Sequence, residues 1–333
     1  MTTAYITHSD CLRHEMGAGH PERPERLSAI DDQMQSSGLT ESLRCLEAPL
    51  AQASDLERVH RSSYVDLIFK RAPTDAAAGY VQLDPDTAMN SHSLAAARRA
   101  AGAGVLAVEE VMAGRATNAF CAVRPCGHHA TAGRSMGFCI FNNVAVAAAY
   151  ALEKMGLERV AIVDFDVHHG NGTEDMFSAP RWQDRVLMVS FFQHPFYPGS
   201  GTEDPAPNMI NVPLAAGSDG RAARRALENQ WLPALQKFKP QMVLISAGFD
   251  AHREDLLGGL ALEDEDYEWM TRQLLAVARQ HSDNRVVSML EGGYNFAALG
   301  RSAVAHVRAL AEGCRTDHPS ERLEAALGTF AGA

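Results

Sequence analysis

The sequence predicts an α/β protein, a single domain in three layers (α/β/α) around a mostly parallel central sheet. Short β-branched, apolar runs alternate with longer runs of helical period, which implies right-handed crossovers and an open parallel sheet. The short runs are also apolar on both faces, as strands covered by helices on each side must be. The chain has 333 residues, 46% of them hydrophobic and 21% charged. That length lets it bury roughly three-quarters of its unfolded surface without a disulfide or metal to hold the core. Intrinsic disorder and a small stapled scaffold are thereby excluded.

The strands expected, in order, are Ala4–Thr7, Ala119–Val123, Val160–Phe165, Val186–Phe191, Met209–Val212, Met242–Ser246 and Val286–Leu290. The helices are Pro24–Gln35, Leu94–Met112, Val144–Met155, Arg221–Lys237, Asp264–Gln280 and Ala297–Ala311. Between them Ala72–Ser91 has no clear period and reads as a surface loop; long loops of this kind are often functional. No repeat or low-complexity linker divides the chain, so 1–333 is read as one domain.

Thirty Lys and Arg against 41 Asp and Glu give a net charge of −11, which argues against a basic nucleic-acid-binding face. The start, MTTAYITHSD, lacks a positive region followed by an apolar one, so no signal peptide is expected. The longest nearly apolar run, Val144–Leu152, is too short to span a bilayer. Cysteines 11, 45, 121, 126, 139 and 314 have no framework spacing; reduced thiols in a cytoplasm are expected.

Ligands of open α/β sheets bind outside the carboxyl ends of the strands, and the residues there are unusual. Arg-Pro-Cys-Gly-His128-His129 follows one strand, and Asp164-Phe-Asp166-Val-His168-His169-Gly-Asn171-Gly another. Ala-Gly-Phe-Asp250-Ala-His252 follows a third and Glu291-Gly-Gly-Tyr294-Asn295 a fourth. A lone aspartate at a strand end usually caps a helix or pairs with a base; the convergence of several acids and histidines argues for more. In extended backbone, residues two apart point the same way, so Asp164, Asp166 and His168 are expected to face one side. Two carboxylates and an imidazole suit Zn²⁺ or Fe²⁺, with a position left for water, and Asp250 would complete the set.

Adjacent side chains in an extended segment diverge, so His128 and His129 are read as general base and acid beside a metal-bound water rather than as a ligand pair. A structural zinc on Cys121, Cys126, His128 and His129 is the alternative, but the spacing matches no zinc knuckle. Tyr294 follows two glycines and is placed to donate to a developing oxyanion. Gly137-Phe138 and Phe196-Tyr197-Pro198-Gly199 are candidate walls of a narrow apolar channel.

These motifs, with His20-Pro-Glu-Arg-Pro-Glu-Arg26-Leu and Gly137-Phe138-Cys-Ile-Phe-Asn-Asn, resemble the histone deacetylase superfamily (the arginase–deacetylase fold) over nearly the whole chain, its class II branch most closely. The resemblance implies that Asp166, His168 and Asp250 hold zinc, Fe²⁺ being the alternative. It implies that His128 and His129 flank the water with Asp164 accepting from His128, and that Tyr294 polarises the substrate carbonyl. Phe138 and Tyr197 would line an acyl-lysine tunnel with Gly137 and Leu257, and Arg26 would serve an acetate-release channel. A structural K⁺ would use carbonyls of Asp164, Asp166 and His168 with Ser190.

The sequence departs from the family at three places. Asn171 stands where the class I branch has an acid, which favours a neutral His129. Tyr197 replaces a common Phe, and Leu257 stands where the polyamine-selective eukaryotic branch carries a glutamate. Asp84 or Asp86, on the long loop, is a candidate for holding the substrate backbone or its cation. The expected substrate is an acylated amine, acetyl-lysine in a peptide or else an acetylpolyamine. An arginase-like ureohydrolase lacks its second carboxylates here, and a non-catalytic acyl-lysine-binding module is the reading from another class.

Overall fold

In the computed structural model, residues 2–314 are described; Met1 and 315–333 of the expected domain lie outside the described residues. Among the described residues ten strands form, β1 (Thr3–Thr7), β2 (Leu43–Glu47), β3 (Val81–Asp84), β4 (Thr87–Met89), β5 (Asn118–Cys121), β6 (Val160–Asp164), β7 (Val186–Gln193), β8 (Met209–Leu214), β9 (Val243–Ala247) and β10 (Val286–Leu290). Eight of them make one sheet in the order β2-β1-β5-β10-β9-β6-β7-β8, parallel at every pairing. Every residue of β5, β6, β7, β9 and β10 is buried, which is why their apolar runs do not alternate.

One helical layer groups Glu25–Ser36, Asp264–His281, Phe296–Gly313 and the run from Gly220 to Phe238. The other packs Ser93–Met112 against Asn143–Glu153. That second pair approaches closely because it is built of alanine and glycine. A side chain at Gly104 would put its Cβ 3.0 Å from the Cβ of Ala147 on the facing helix. Asn142 and Asn295 start their helices by accepting from the backbone N–H groups of Ala145 and Ala298.

Several elements differ from the sequence expectation. The edge strand β2 and the helix Ser62–Arg71 were not foreseen; β2 is half-buried and reads as polar because it pairs on one side only. The segment Ala72–Ser91 is not a plain loop, because it folds into the antiparallel hairpin β3–β4. The helix expected at Arg221–Lys237 makes a π turn over Leu227–Trp231. Pro233 has no N–H for the regular bond at this point, and the preceding Leu232 N–H reaches back to Leu227 instead.

The strand order is what assembles the site. β9 and β10 insert between β5 and β6, so the carboxyl ends of four neighbouring strands carry the four motifs.

Candidate active site

Asp166 and His168 follow β6, Asp250 follows β9, and their ligating atoms lie within 4.8 Å of one another, all buried. His168 Nδ1 sits between the two carboxylates, 3.0 Å from Asp166 Oδ1 and 3.3 Å from Asp250 Oδ2. Each aspartate is steered by a backbone N–H: Val167 donates to Asp250 Oδ1 at 2.8 Å and Gly292 to Asp166 Oδ2 at 2.9 Å. Asp250 Oδ2, fully buried, accepts no hydrogen bond. A buried carboxylate oxygen left over beside a second carboxylate and an imidazole fits a divalent cation of the zinc type. Glycine makes room for the pair. A Cβ at Gly292 would lie 1.9 Å from Asp250 Oδ2, and one at Gly248 would lie 2.1 Å from Asp166 Oδ2.

Asp164 does not join this cluster, although its spacing suggested a common side. It is the last residue of β6, and its Oδ2 lies 2.9 Å from Nδ1 of His128 while its Oδ1 accepts the Asp166 N–H. The two histidines also depart from the divergence expected of extended backbone. They sit in a turn, and their rings lie with centroids 4.0 Å apart. Among the described residues neither histidine clusters with a cysteine so as to hold an ion. Cys121 is in β5, Cys126 meets Cys139 at 3.5 Å, and the Nδ1 atoms of the histidines face Asp164 and Asn171.

The electrostatics separate the pair. Burial opposes a charge on His128, but the carboxylates of Asp166, Asp164 and Glu291 outweigh it and hold its pKa well above the usual range. Burial and the neighbouring His128 and His168 push His129 well below. Burial and Asp166 raise Asp250 to about 7. Burial disfavours a charge on His168 too, yet the neighbouring carboxylates of Asp166 and Asp250 carry it to about 10. A divalent cation among these carboxylates would take over the field they exert.

Above the cluster opens a cavity of about 480 Å³ walled by Phe138, Phe196, Tyr197, Leu256, Leu257 and Tyr294, with His129, His168, Gly137 and Asp86 also facing it. Gly137, Phe138, Tyr197 and Leu257, the wall residues expected from the sequence, all line this cavity. Phe196 stacks on the His168 ring at 5.4 Å, and Tyr197 sets its ring edgewise to His129 at 5.2 Å. Phe138, at φ 68°, is pinned by the β3–β4 hairpin: Thr87 Oγ1 accepts its N–H, and Asp86 Oδ1 accepts that of Gly137. Asp86 thus reaches the mouth, whereas Asp84 turns into the hairpin and accepts from the Asp86 N–H.

Arg26 is fully buried behind Tyr294, its guanidinium carbon 4.9 Å over the phenol ring and its Nε donating to the Gly293 carbonyl at 2.6 Å. Ser190 pairs in register with Asp164 on β7. Sequence reasoning passed over Glu291, whose Oε2 accepts the N–H groups of Gly127 and His128 at 2.7 and 3.1 Å. Burial raises its pKa to about 7. A charged residue opening a Gly-Gly turn at a buried strand end was the available signal.

Among known proteins, the histone deacetylase domain model matches residues 20–310. A histone deacetylase-like amidohydrolase of Pseudomonas aeruginosa is 38% identical over 287 residues, covering 84% of this chain and 74% of that protein. A "Probable deacetylase" of Archaeoglobus fulgidus is 37% identical over 303 residues, covering 89% and 82%. The crystal structure of the HDA15 HD domain superposes with a TM-score of 0.86 at 34% identity, covering 97% of this chain and 94% of that one.

Proposed function

The chain belongs to the histone deacetylase family, and from that premise we propose that it hydrolyses the amide of an acylated amine, acetyl-lysine in a peptide, as a zinc-dependent deacetylase. The observation that carries the proposal is the buried Asp166–His168–Asp250 cluster at the base of an aromatic-walled cavity that also exposes His129 and Tyr294. A bound zinc ion would polarise the acyl carbonyl and lower the pKa of water to about 7.

The chain's own residues supply the rest. Phe138, Phe196 and Tyr197 enclose the methylene stem and exclude water from it. His129, neutral and donating from Nδ1 to Asn171, takes the proton of the attacking water at Nε2. His128, charged against Asp164, returns a proton to the departing amine. The Tyr294 hydroxyl donates to the oxyanion that develops on the carbonyl. Amide and water thus become amine and carboxylate, with Arg26 set behind Tyr294 on the carboxylate's way out. The potassium implied by the resemblance would use Asp164, Asp166, His168 and Ser190; the Asp164–Ser190 register supports their proximity, and no reaction step depends on it.

A peptide is favoured over a polyamine because Leu257 stands at the rim where the polyamine-selective eukaryotic branch carries a glutamate, and the Asp86 carboxylate there already accepts the Gly137 N–H. The test is turnover of a fluorogenic acetyl-lysine peptide and of N-acetylputrescine by the wild type and Asp250→Ala, with zinc supplied. Peptide turnover that disappears in the variant is expected. Turnover of the polyamine alone would move the substrate, and silence on both would overturn the proposal.

No helix among the described residues is long and apolar enough to cross a membrane; the cytoplasmic setting we propose rests on the six free cysteines.

A further inference from the structure

We infer that Asp255 is a positioning residue that fastens the tunnel wall to the backbone of Tyr294, so that the phenol is aligned only while this carboxylate holds both. The inference rests on the deacetylase reading, which puts Tyr294 at the reacting carbonyl.

Asp255 lies in the loop beyond Asp250, immediately before the wall residues Leu256 and Leu257. Its Oδ1 accepts the N–H of Leu257 at 2.9 Å. Its Oδ2 accepts the N–H groups of Tyr294 at 2.6 Å and Asn295 at 3.0 Å. One carboxylate therefore joins two segments that belong to different strand ends, by bonds of the stronger, charge-assisted kind. Leu256 and Tyr294 also wall a second cavity of about 440 Å³ beside the tunnel, so the seam that Asp255 closes has open space on both sides.

The turn carrying Tyr294 needs such a restraint. It enters through Gly292 and Gly293, the latter at φ +123°, backbone with little conformational preference of its own. Its other ties hold neighbours rather than Tyr294 itself. Asp166 takes the Gly292 N–H, Arg26 donates to the Gly293 carbonyl, and Asn295 donates to the Glu254 carbonyl. The phenol ring meets Phe138 at 5.9 Å and the Arg26 guanidinium at 4.9 Å; these contacts limit its tilt but do not anchor the main chain. A misplacement of 1 Å at a reacting group costs on the order of 10² in rate. Asn at position 255 would turn an amide N–H₂ toward backbone N–H donors, or else give up one side of the seam.

A double-mutant cycle with an acetyl-lysine peptide tests this. Asp255→Asn should lower kcat at least about tenfold with KM within about twofold, while zinc content and melting temperature stay near the wild type. In a Tyr294→Phe background the same change should cost less than about twofold, because the hydroxyl it positions is gone. Asp255→Glu keeps the charge but shifts the oxygens by a methylene, and should give the same non-additivity should the Asn variant not fold. Losses that multiply in the double variants, or an unaltered kcat in Asp255→Asn, would overturn the inference. A Tyr294→Phe enzyme as active as the wild type would instead remove the underlying reading, and the inference with it.

Discussion

Nδ1 of His129 lies 2.8 Å from Oδ1 of Asn171, and Nδ2 of the same amide points at the sulfur of Met136 at 3.3 Å. With its N–H₂ directed at a thioether, the amide presents its oxygen to the ring, so His129 donates from Nδ1 and carries its lone pair on Nε2. Its neighbour His128 faces a full carboxylate, Asp164, at 2.9 Å. The two rings are almost in contact, yet a neutral partner and a charged one push them toward opposite protonation states, which is how one site holds both a base and an acid.

Asn171→Asp should erase that difference. A carboxylate at Nδ1 stabilises the imidazolium of His129, so the base is protonated up to a higher pH. The acid limb of the kcat/KM profile should move to higher pH, with the largest loss of rate near pH 6. An unchanged profile would count against the assignment of His129 as the base.

Gly292→Ala should weaken the cation site without replacing a ligand. Its Cβ would sit 1.9 Å from Asp250 Oδ2 and 2.7 Å from Asp166 Oδ2, forcing both carboxylates to shift. Residues that orient ligands typically cost 10–100-fold in affinity when changed, so zinc affinity should fall at least about tenfold by competition against a chelator. Retention of wild-type affinity would show that the two aspartates are not the ligands.

The stability contributed by three buried neutral histidines should fall as pH drops from about 6.5 toward 3, against the opposite contribution of Asp250 and Glu291, whose raised carboxyls take up protons in the folded state. Burial lowers His14, His60 and His306 to about 3, against roughly 6.5 in an unfolded chain. Between those values the unfolded state binds protons that the folded state refuses, so unfolding gains about 1.4 kcal/mol per pH unit for each histidine. Above 6.5 their contribution is fully present. Between pH 7 and 5 the melting temperature of His306→Gln, whose amide can still bridge Thr271 and Ser288 as the imidazole does, should change with pH in a more stabilising direction than that of the wild type, because one destabilising titration is removed. Equal slopes would mean that His306 is charged in the folded protein.

The sheet was legible because its strands are apolar on both faces, and the site because each chemical residue ends such a strand. Asp166, His168 and Asp250 are close in space for a reason the sequence only hints at, the insertion of β9 and β10 between β5 and β6. Asp164 faces His128 rather than the cluster that the spacing alone suggests, since the alternation rule holds in a strand and β6 ends at Asp164 itself. The hairpin β3–β4 escaped notice because it is held by contacts to Gly137 and Phe138 far along the chain. Glu291 and Asp255 act through backbone N–H groups, and no side-chain pattern announces that.

Glu22 gives the sharpest test of what supports the site from below. It is fully buried with Arg26 and Arg124, accepting from Arg26 at 3.1 Å and from two nitrogens of Arg124, one of them at 2.6 Å. Burial would raise its pKa, but Arg124, His14 and Arg26 pull it down to about 2. Both arginines also donate to neutral carbonyls, Arg26 to Gly293 and Glu291, Arg124 to Cys11 and His14. Those carbonyls satisfy N–H groups without cancelling charge. Glu22→Gln keeps the shape and an acceptor but leaves two buried guanidinium ions uncompensated, which should cost about 3–5 kcal/mol. For a chain of this length that corresponds to a fall in melting temperature of roughly 5 °C. A variant that melts with the wild type would mean that hydrogen bonding to the carbonyls, rather than the Glu22 charge, is what holds Arg26 behind Tyr294.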